Sequence, residues 1–210
     1  QDKWIPALEE KGIRESATEA NPSAVLENTF ISKMGKEQEI FDHDIFQDII
    51  KFIDYGFLKK TVLITMANMM DRQDIGEHLS DFFLLVDTNQ TGTISPGELK
   101  DAIEKMNVTN IDDGQMEKIF AGIDHDGSGQ IHYAEFLATL VEGAGLVTEE
   151  RLSDAFDRID SGGKGYITRT DLKNILGENY SKEVVDMMIE EGDFKKNGQV
   201  DYDEFVLLMM

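Results

Sequence analysis

One unit recurs four times in the later part of this chain: an apolar helical pattern, an acidic loop containing glycine, then a second apolar helical pattern. The loops begin at Asp87, Asp124, Asp160 and Asp193, a period of 33 to 37 residues. A repeat of this length is a supersecondary unit that cannot bury its apolar face alone, so units must stack on neighbours. Helical spacing flanks every loop. Phe82, Phe83 and Val86 precede the first, with Leu99 and Ile103 after it. Phe120 and Ile123 precede the second, with Phe136 and Leu140 after it. Phe156 and Ile159 lead into the third and Leu172 and Ile175 out of it, and Met188, Ile189, Phe205 and Leu208 frame the fourth. The chain is therefore expected to be all-α, with strands only as short pairings inside the loops. Gly143-Ala144-Gly145 divides the units into two pairs, residues 76–143 and 146–210.

Each loop is twelve residues long, and the residue types at fixed positions are those of a cage for a hard cation. Calcium takes six to eight oxygens, supplied by positions 1, 3, 5, 7, 9 and 12, with glycine at position 6 for a sharp turn. In the first loop, DTNQTGTISPGE, side-chain oxygens come from Asp87, Asn89 and Thr91, a backbone carbonyl from Thr93, and the closing carboxylate from Glu98. Ser95, Pro96 and Glu98 also fit the first turn of a helix. The second loop, DHDGSGQIHYAE, offers Asp124, Asp126, Ser128, the Gln130 carbonyl and Glu135. His132 sits at its position 9, and with no second His or Cys spaced to help it, a transition-metal site is not expected there.

The other two loops depart from this pattern. The third, DSGGKGYITRTD, has Gly162 at position 3, Lys164 at position 5 and Asp171 at position 12, so it is expected to pair with its neighbour and stay empty. The fourth, DFKKNGQVDYDE, retains Asp193, Asn197, the Gln199 carbonyl, Asp201 and Glu204. Its position 3 is Lys195, expected to turn outward to water and leave a weakened site.

Four loops with glycine at position 6, isoleucine or valine at position 8 and an acid at position 12 resemble EF-hands. The expected architecture is two EF-hand lobes, four helix-loop-helix units in all, preceded by a long junction helix over residues 44–75. The formal net charge of −22 suits a cation binder and disfavours nucleic acid, whose phosphates it would repel. Cysteine is absent, which excludes disulfides and zinc-thiolate sites and fits a cytoplasmic protein. The first residue is Gln1, so the chain reads as a fragment, and any lipidation signal or membrane association is not readable from it.

The stretch FIDYGFLKKTVLITMANMMDRQDIGEHLSDFFLLVDTNQTGTISPGEL is similar to the regulatory region of the calcium-dependent protein kinases of plants and protozoan parasites. There a junction helix and a calmodulin-like domain follow a kinase domain. Phe52, then Leu58, Lys59 and Lys60, then Val62 to Met70 follow the course of that junction. The resemblance covers residues 45 to 210, and Lys3-Trp4-Ile5 is similar to the last helix of such a kinase domain. Residues 1–43 would then be a linker, with short helices around Ser23 to Lys33. Asp54 makes this junction less basic than the family norm. The resemblance implies a calcium-binding domain that switches an attached serine/threonine kinase, its intramolecular partner, through a grip on the junction helix. The chain itself contains no glycine-rich loop, strand lysine, H-R-D or D-F-G element and is expected to catalyse nothing.

Two rival readings stand beside this one: a free-standing calmodulin-like sensor that binds partner helices, and a passive calcium buffer. A free sensor has no need of its own apolar target helix, and a buffer would be expected to have four good loops. Within the junction, Val62, Leu63, Met66, Met69 and Met70 share one helical face, with Ile64 on the far side. They are expected to dock in the second lobe, among Phe156, Ile159, Leu176, Met187, Met188, Phe205, Leu208 and Met209.

Overall fold

The repeat dictates the architecture of the computed structural model, which describes residues 38–210 except positions 76, 107, 109, 110, 178 and 179. Expectations placed on residues 1–37 lie outside the described residues, as do side chains before Ile45. In place of one long helix over residues 44–75, two helices separated at Gly56 precede the repeat: α1 (Gln38–Ile53) and α2 (Phe57–Met69). A short α3 (Arg72–Ile75) leads into the first pair of units: α4 (Glu77–Val86), β1 (Thr93–Ile94), α5 (Pro96–Lys105), α6 (Asp113–Ile123), β2 (Ile131–His132) and α7 (Tyr133–Ala138). The second pair is α8 (Glu149–Ile159), β3 (Tyr166–Ile167), α9 (Arg169–Leu176), α10 (Lys182–Gly192), β4 (Val200–Asp201) and α11 (Tyr202–Met209). The protein is all-α, its described strands being two-residue segments within the loops.

Local chemistry sets where these helices start. Ser95 accepts the backbone N–H of Glu98 while the Glu98 carboxylate accepts that of Ser95, with Pro96 in the first turn. Thr168 with Asp171 and Asp201 with Glu204 repeat this reciprocal cap. It satisfies backbone donors that have no partner within the helix. The last residue of each loop thus belongs to the loop and to the following helix at once.

The strands pair the loops within each lobe. Ile94 lies opposite Ile131 and Thr93 opposite His132. In the second lobe Ile167 lies opposite Val200 and Tyr166 opposite Asp201. The four position-8 residues, Ile94, Ile131, Ile167 and Val200, are fully buried, so each pairing anchors its loops in a core.

The described residues form two cores: α1 packs mainly in the first and α2 in the second, with Phe52 at the end of α1 joining the second. Ile45 and Ile49 of α1 pack with Phe82, Phe83, Val86, Ile123 and Phe136 of the first lobe. Leu58, Val62, Leu63, Met66 and Ala67 of α2 pack with Phe156, Ile159, Met188, Ile189 and Phe205 of the second. Leu137, Ala138 and Val141 carry that second core back to the end of the first lobe. Leu58, Val62, Leu63 and Met66 are at most 1% exposed. Burying each contributes about 1.5–3 kcal/mol before ordering costs.

Two apolar expectations need correction. Met69, the last residue of α2, is 45% exposed. Met70 is already extended (φ −80°, ψ 138°) and, as expected, packs against the second core, partly buried. Met187 is 56% exposed, whereas its neighbour Met188 is fully buried. Adjacent helical residues lie about 100° apart, and α10 turns Met188 inward. Ile64, on the far side of α2, is partly buried against the same core, which agrees with a helix gripped all round.

Candidate metal centres

Position 6 of each loop has the left-handed backbone that glycine favours: φ is 84° at Gly92, 80° at Gly129, 82° at Gly165 and 84° at Gly198. This turn points successive backbone N–H groups back at the loop's first aspartate. The carboxylate of Asp87 accepts the N–H of Thr91 at 3.0 Å and of Gly92 at 2.7 Å. Asp124 does the same for Ser128 (3.0 Å) and Gly129 (2.9 Å), and Asp193 for Asn197 (2.9 Å) and Gly198 (2.7 Å).

The second loop brings its carboxylates together. Oxygens of Asp124, Asp126 and Glu135 all lie within 4.8 Å of one another. Ser128 Oγ, at position 5, stands 2.8 Å from the Gln130 carbonyl at position 7. Glu135 is buried and accepts backbone N–H groups from His125 (2.7 Å), Asp126 (3.2 Å) and His132 (2.7 Å). Burial, with repulsion from Asp126, nevertheless pushes the Glu135 carboxyl above its ordinary pKa. Three acids converge here with no lysine or arginine bonded to them among the described residues, an arrangement that favours a cation. His132 is half-exposed and stands 3.8 Å from Asp126.

The first loop is similar but carries fewer charges. Asp87 and Glu98 are both buried. Thr91 Oγ1 lies 3.2 Å from the Thr93 carbonyl, and Asn89 Oδ1 accepts the Thr91 N–H at 3.1 Å. Glu98 accepts from Thr88 Oγ1 (3.0 Å), Asn89 N (3.2 Å) and Ser95 Oγ (2.7 Å). Burial raises its pKa, but these bonds, led by those from Ser95, outweigh it and leave Glu98 below its ordinary value.

The third loop contains its own cation. Lys164 Nζ lies 2.5 Å from Asp160 Oδ1 and 3.0 Å from Asp171 Oδ1, bridging positions 1 and 12. Asp171 is pushed down to about 2: burial opposes this, but bonds from Thr168 and from the Lys164 ammonium prevail. Glu135 and Asp171 occupy equivalent positions and shift in opposite directions: Asp171 accepts from the Thr168 and Ser161 hydroxyls and the Lys164 ammonium, whereas Glu135 has backbone donors alone and the repulsion of Asp126.

In the fourth loop Lys195 is exposed, as expected, and its ammonium also pairs with Asp201 at position 9. The short span between positions 3 and 9 lets the ammonium neutralise a would-be ligand while it stays in contact with water. Glu204 still closes the loop, accepting Lys195 N at 2.6 Å and Asp201 N at 3.0 Å. Asn197 Oδ1 accepts the Gln199 N–H at 3.2 Å, which places positions 5 and 7 side by side.

Several residues that matter around α2 had no signal as loop ligands. Gly56, at the N-cap of α2, provides no capping side chain. Glu191, from the helix before the fourth loop, takes that place, accepting Leu58 N at 2.8 Å and Lys59 N at 3.1 Å. Lys59 and Lys60 are nearly buried. Lys60 Nζ donates to the Ile53 and Gly122 carbonyls, both at 2.9 Å, and Lys59 Nζ to the Met209 carbonyl at 3.3 Å. One lysine thus ties α2 to the first lobe and the other to the second. The Lys-Lys pair was visible in the sequence, but not that it points inward.

The sequence pattern of the EF-hand domain pair matches residues 77–140 and 149–210. Similar proteins include calcium-dependent protein kinase 17 of Arabidopsis thaliana, 30% identical over 189 residues, 88% of this chain and 35% of that protein. Calcium-dependent protein kinase 9 of Oryza sativa subsp. japonica is 32% identical over 155 residues, 72% of this chain and 27% of that protein. The chain therefore spans about a third of the length of the curated relatives it matches.

Proposed function

The chain belongs to the EF-hand family, and on that premise we propose that it is a calcium-sensing regulatory segment that switches an attached serine/threonine protein kinase. The observation that carries this reading is the packing of α2 into the core of the second lobe, where Leu58, Val62, Leu63 and Met66 meet Phe156, Met188 and Phe205. A calmodulin-like lobe grips an amphipathic helix by its apolar face. Here the helix is supplied by the chain itself, which disfavours a free-standing sensor seeking partner helices.

Calcium sensing rests on the first lobe. Asp124, Asp126, Ser128, the Gln130 carbonyl and Glu135 would hold the ion in the second loop, and Asp87, Asn89, Thr91, the Thr93 carbonyl and Glu98 in the first. Calcium supplies the positive charge that these converging oxygens lack. Glu135 and Glu98 are the levers, since each is both a loop carboxylate and the third residue of the following helix. A change in how they are held is a change in α7 or α5. The third loop has Lys164 in place of that charge, and the fourth has Lys195 against Asp201, so the second lobe serves mainly as the grip on α2.

Hydrogen exchange on the 210-residue chain, with chelator and with calcium, tests this reading. Residues 62–70 should be protected in both conditions while first-lobe amides change with calcium. Protection of residues 62–70 that arises only with calcium would overturn it.

A further inference from the structure

His125 occupies position 2 of the second loop, a position that supplies no ligand, yet it is the loop's contact with the junction helix. Its ring lies against Phe57, centroids 4.1 Å apart, and its Nε2 stands 2.9 Å from Thr61 Oγ1. The Thr61 hydroxyl proton already goes to the Phe57 carbonyl at 2.9 Å. Oγ1 therefore accepts from His125, which carries its proton on Nε2. On the other side Tyr180, from the segment between α9 and α10, donates its hydroxyl to the His125 carbonyl at 2.9 Å. The Phe57 and Tyr180 rings also meet edge to face, with centroids 5.8 Å apart. His125 N in turn donates to Glu135 at 2.7 Å. One residue thus joins the closing carboxylate of the second loop, the junction helix and the second lobe.

We infer that His125 is a positioning residue that couples calcium binding at the second loop to the docking of the junction helix. This rests on the reading of the second loop as a calcium site. The loop holds three carboxylates within 4.8 Å of one another, which repel in the absence of a cation. Contacts of Phe57, Thr61 and Tyr180 with His125 hold the loop in that converged form, so docking raises its affinity. Coupling between two sites is reciprocal, and calcium at this loop must tighten docking by the same factor.

The test is calcium calorimetry on the full chain, comparing wild type with His125→Ala, Thr61→Val and the double variant, each checked by urea unfolding. His125→Ala should weaken the second loop by about 5- to 20-fold, within the usual range of coupling between sites. Thr61→Val, which keeps the side-chain shape and removes the hydroxyl that accepts from His125 and donates to the Phe57 carbonyl, should weaken it by a few-fold. The double variant should be no weaker than His125→Ala alone, because both remove one interaction. His125→Gln, which retains a side-chain N–H donor, should recover part of the loss. Calcium should also increase hydrogen-exchange protection at residues 57–61 in wild type and fail to do so in His125→Ala. Affinities within twofold of wild type in both single variants, or losses that add in the double, would overturn the coupling while leaving the calcium site intact. A wild-type chain that takes no calcium at the second loop would overturn both.

Discussion

The carboxylate of Glu191 accepts the backbone N–H of Leu58 at 2.8 Å across 133 residues of sequence. The helix that leads into the fourth loop thereby caps α2, whose own N-cap, Gly56, has no side chain for the task. The fit is close: a Cβ on Gly56 would meet the Glu191 carboxylate at 2.2 Å. Glu191→Ala should lower stability by ~1 kcal/mol, the usual worth of a lost cap. Urea unfolding would show this as a lower midpoint, and Glu191→Gln should recover part of it.

Docking of α2 predicts a larger effect further along the same helix. Met66 is 1% exposed within the second core. Met66→Ala should destabilise the chain by about 2–5 kcal/mol through lost contacts and the cavity left behind. Met69→Ala, one helical turn later at an exposed position, should be nearly silent. Equal effects of the two in thermal or urea unfolding would contradict the assigned face.

Calcium should bind with a stoichiometry of two or three, led by the loops beginning at Asp87 and Asp124. Glu135→Gln should remove binding at the second loop and weaken the first, since Ile94 and Ile131 pair the two across β1 and β2. Calorimetry reads both outcomes, a tenfold loss corresponding to about 1.4 kcal/mol. Four tight sites would contradict the roles given to Lys164 and Lys195.

The third loop should be convertible into a site. Lys164 occupies the space between Asp160 and Asp171, and the nearest atoms that a Cβ on Gly162 would meet belong to the Lys164 side chain, at 3.0 Å and beyond. Gly162→Asp with Lys164→Asn and Asp171→Glu removes the internal cation, adds oxygens at positions 3 and 5 and lengthens the closing acid. Calorimetry should then show one more calcium bound than in wild type.

Asp171 gives a prediction in pH. Its pKa in the folded chain is pushed down to about 2, below the ordinary value. A depressed carboxyl stabilises the fold above its unfolded pKa of about 4, and that contribution is lost as pH falls through the folded value. For a buried group the shift corresponds to about 2 kcal/mol. Urea unfolding of wild type and Asp171→Asn should differ most near pH 5 and 6 and converge as pH approaches 2. With Lys164→Met in the background, the difference at pH 6 should shrink.

The four loops, their pairing and the all-α class were legible in the residues because each loop's chemistry lies within twelve consecutive positions. Glycine at position 6, an apolar residue at position 8 and an acid at position 12 dictate a turn, a strand pair and a helix start from local geometry alone. Lys164 stood out as a cation among acids for the same reason. The partners of His125, Glu191, Lys59 and Lys60 were decided only by the tertiary structure. They lie 62 to 150 residues away in sequence, Thr61 from His125, Leu58 from Glu191, Gly122 from Lys60 and Met209 from Lys59. Helical periodicity gives the apolar face of α2 but cannot say which lobe receives it. Nor does it show that a helix ends at Met69, which is why Met69 was expected inside and lies outside. Whether an exposed lysine at a loop mouth also meets an acid depends on where the fold places the nearest carboxylate, and Asp201 lies within reach of Lys195.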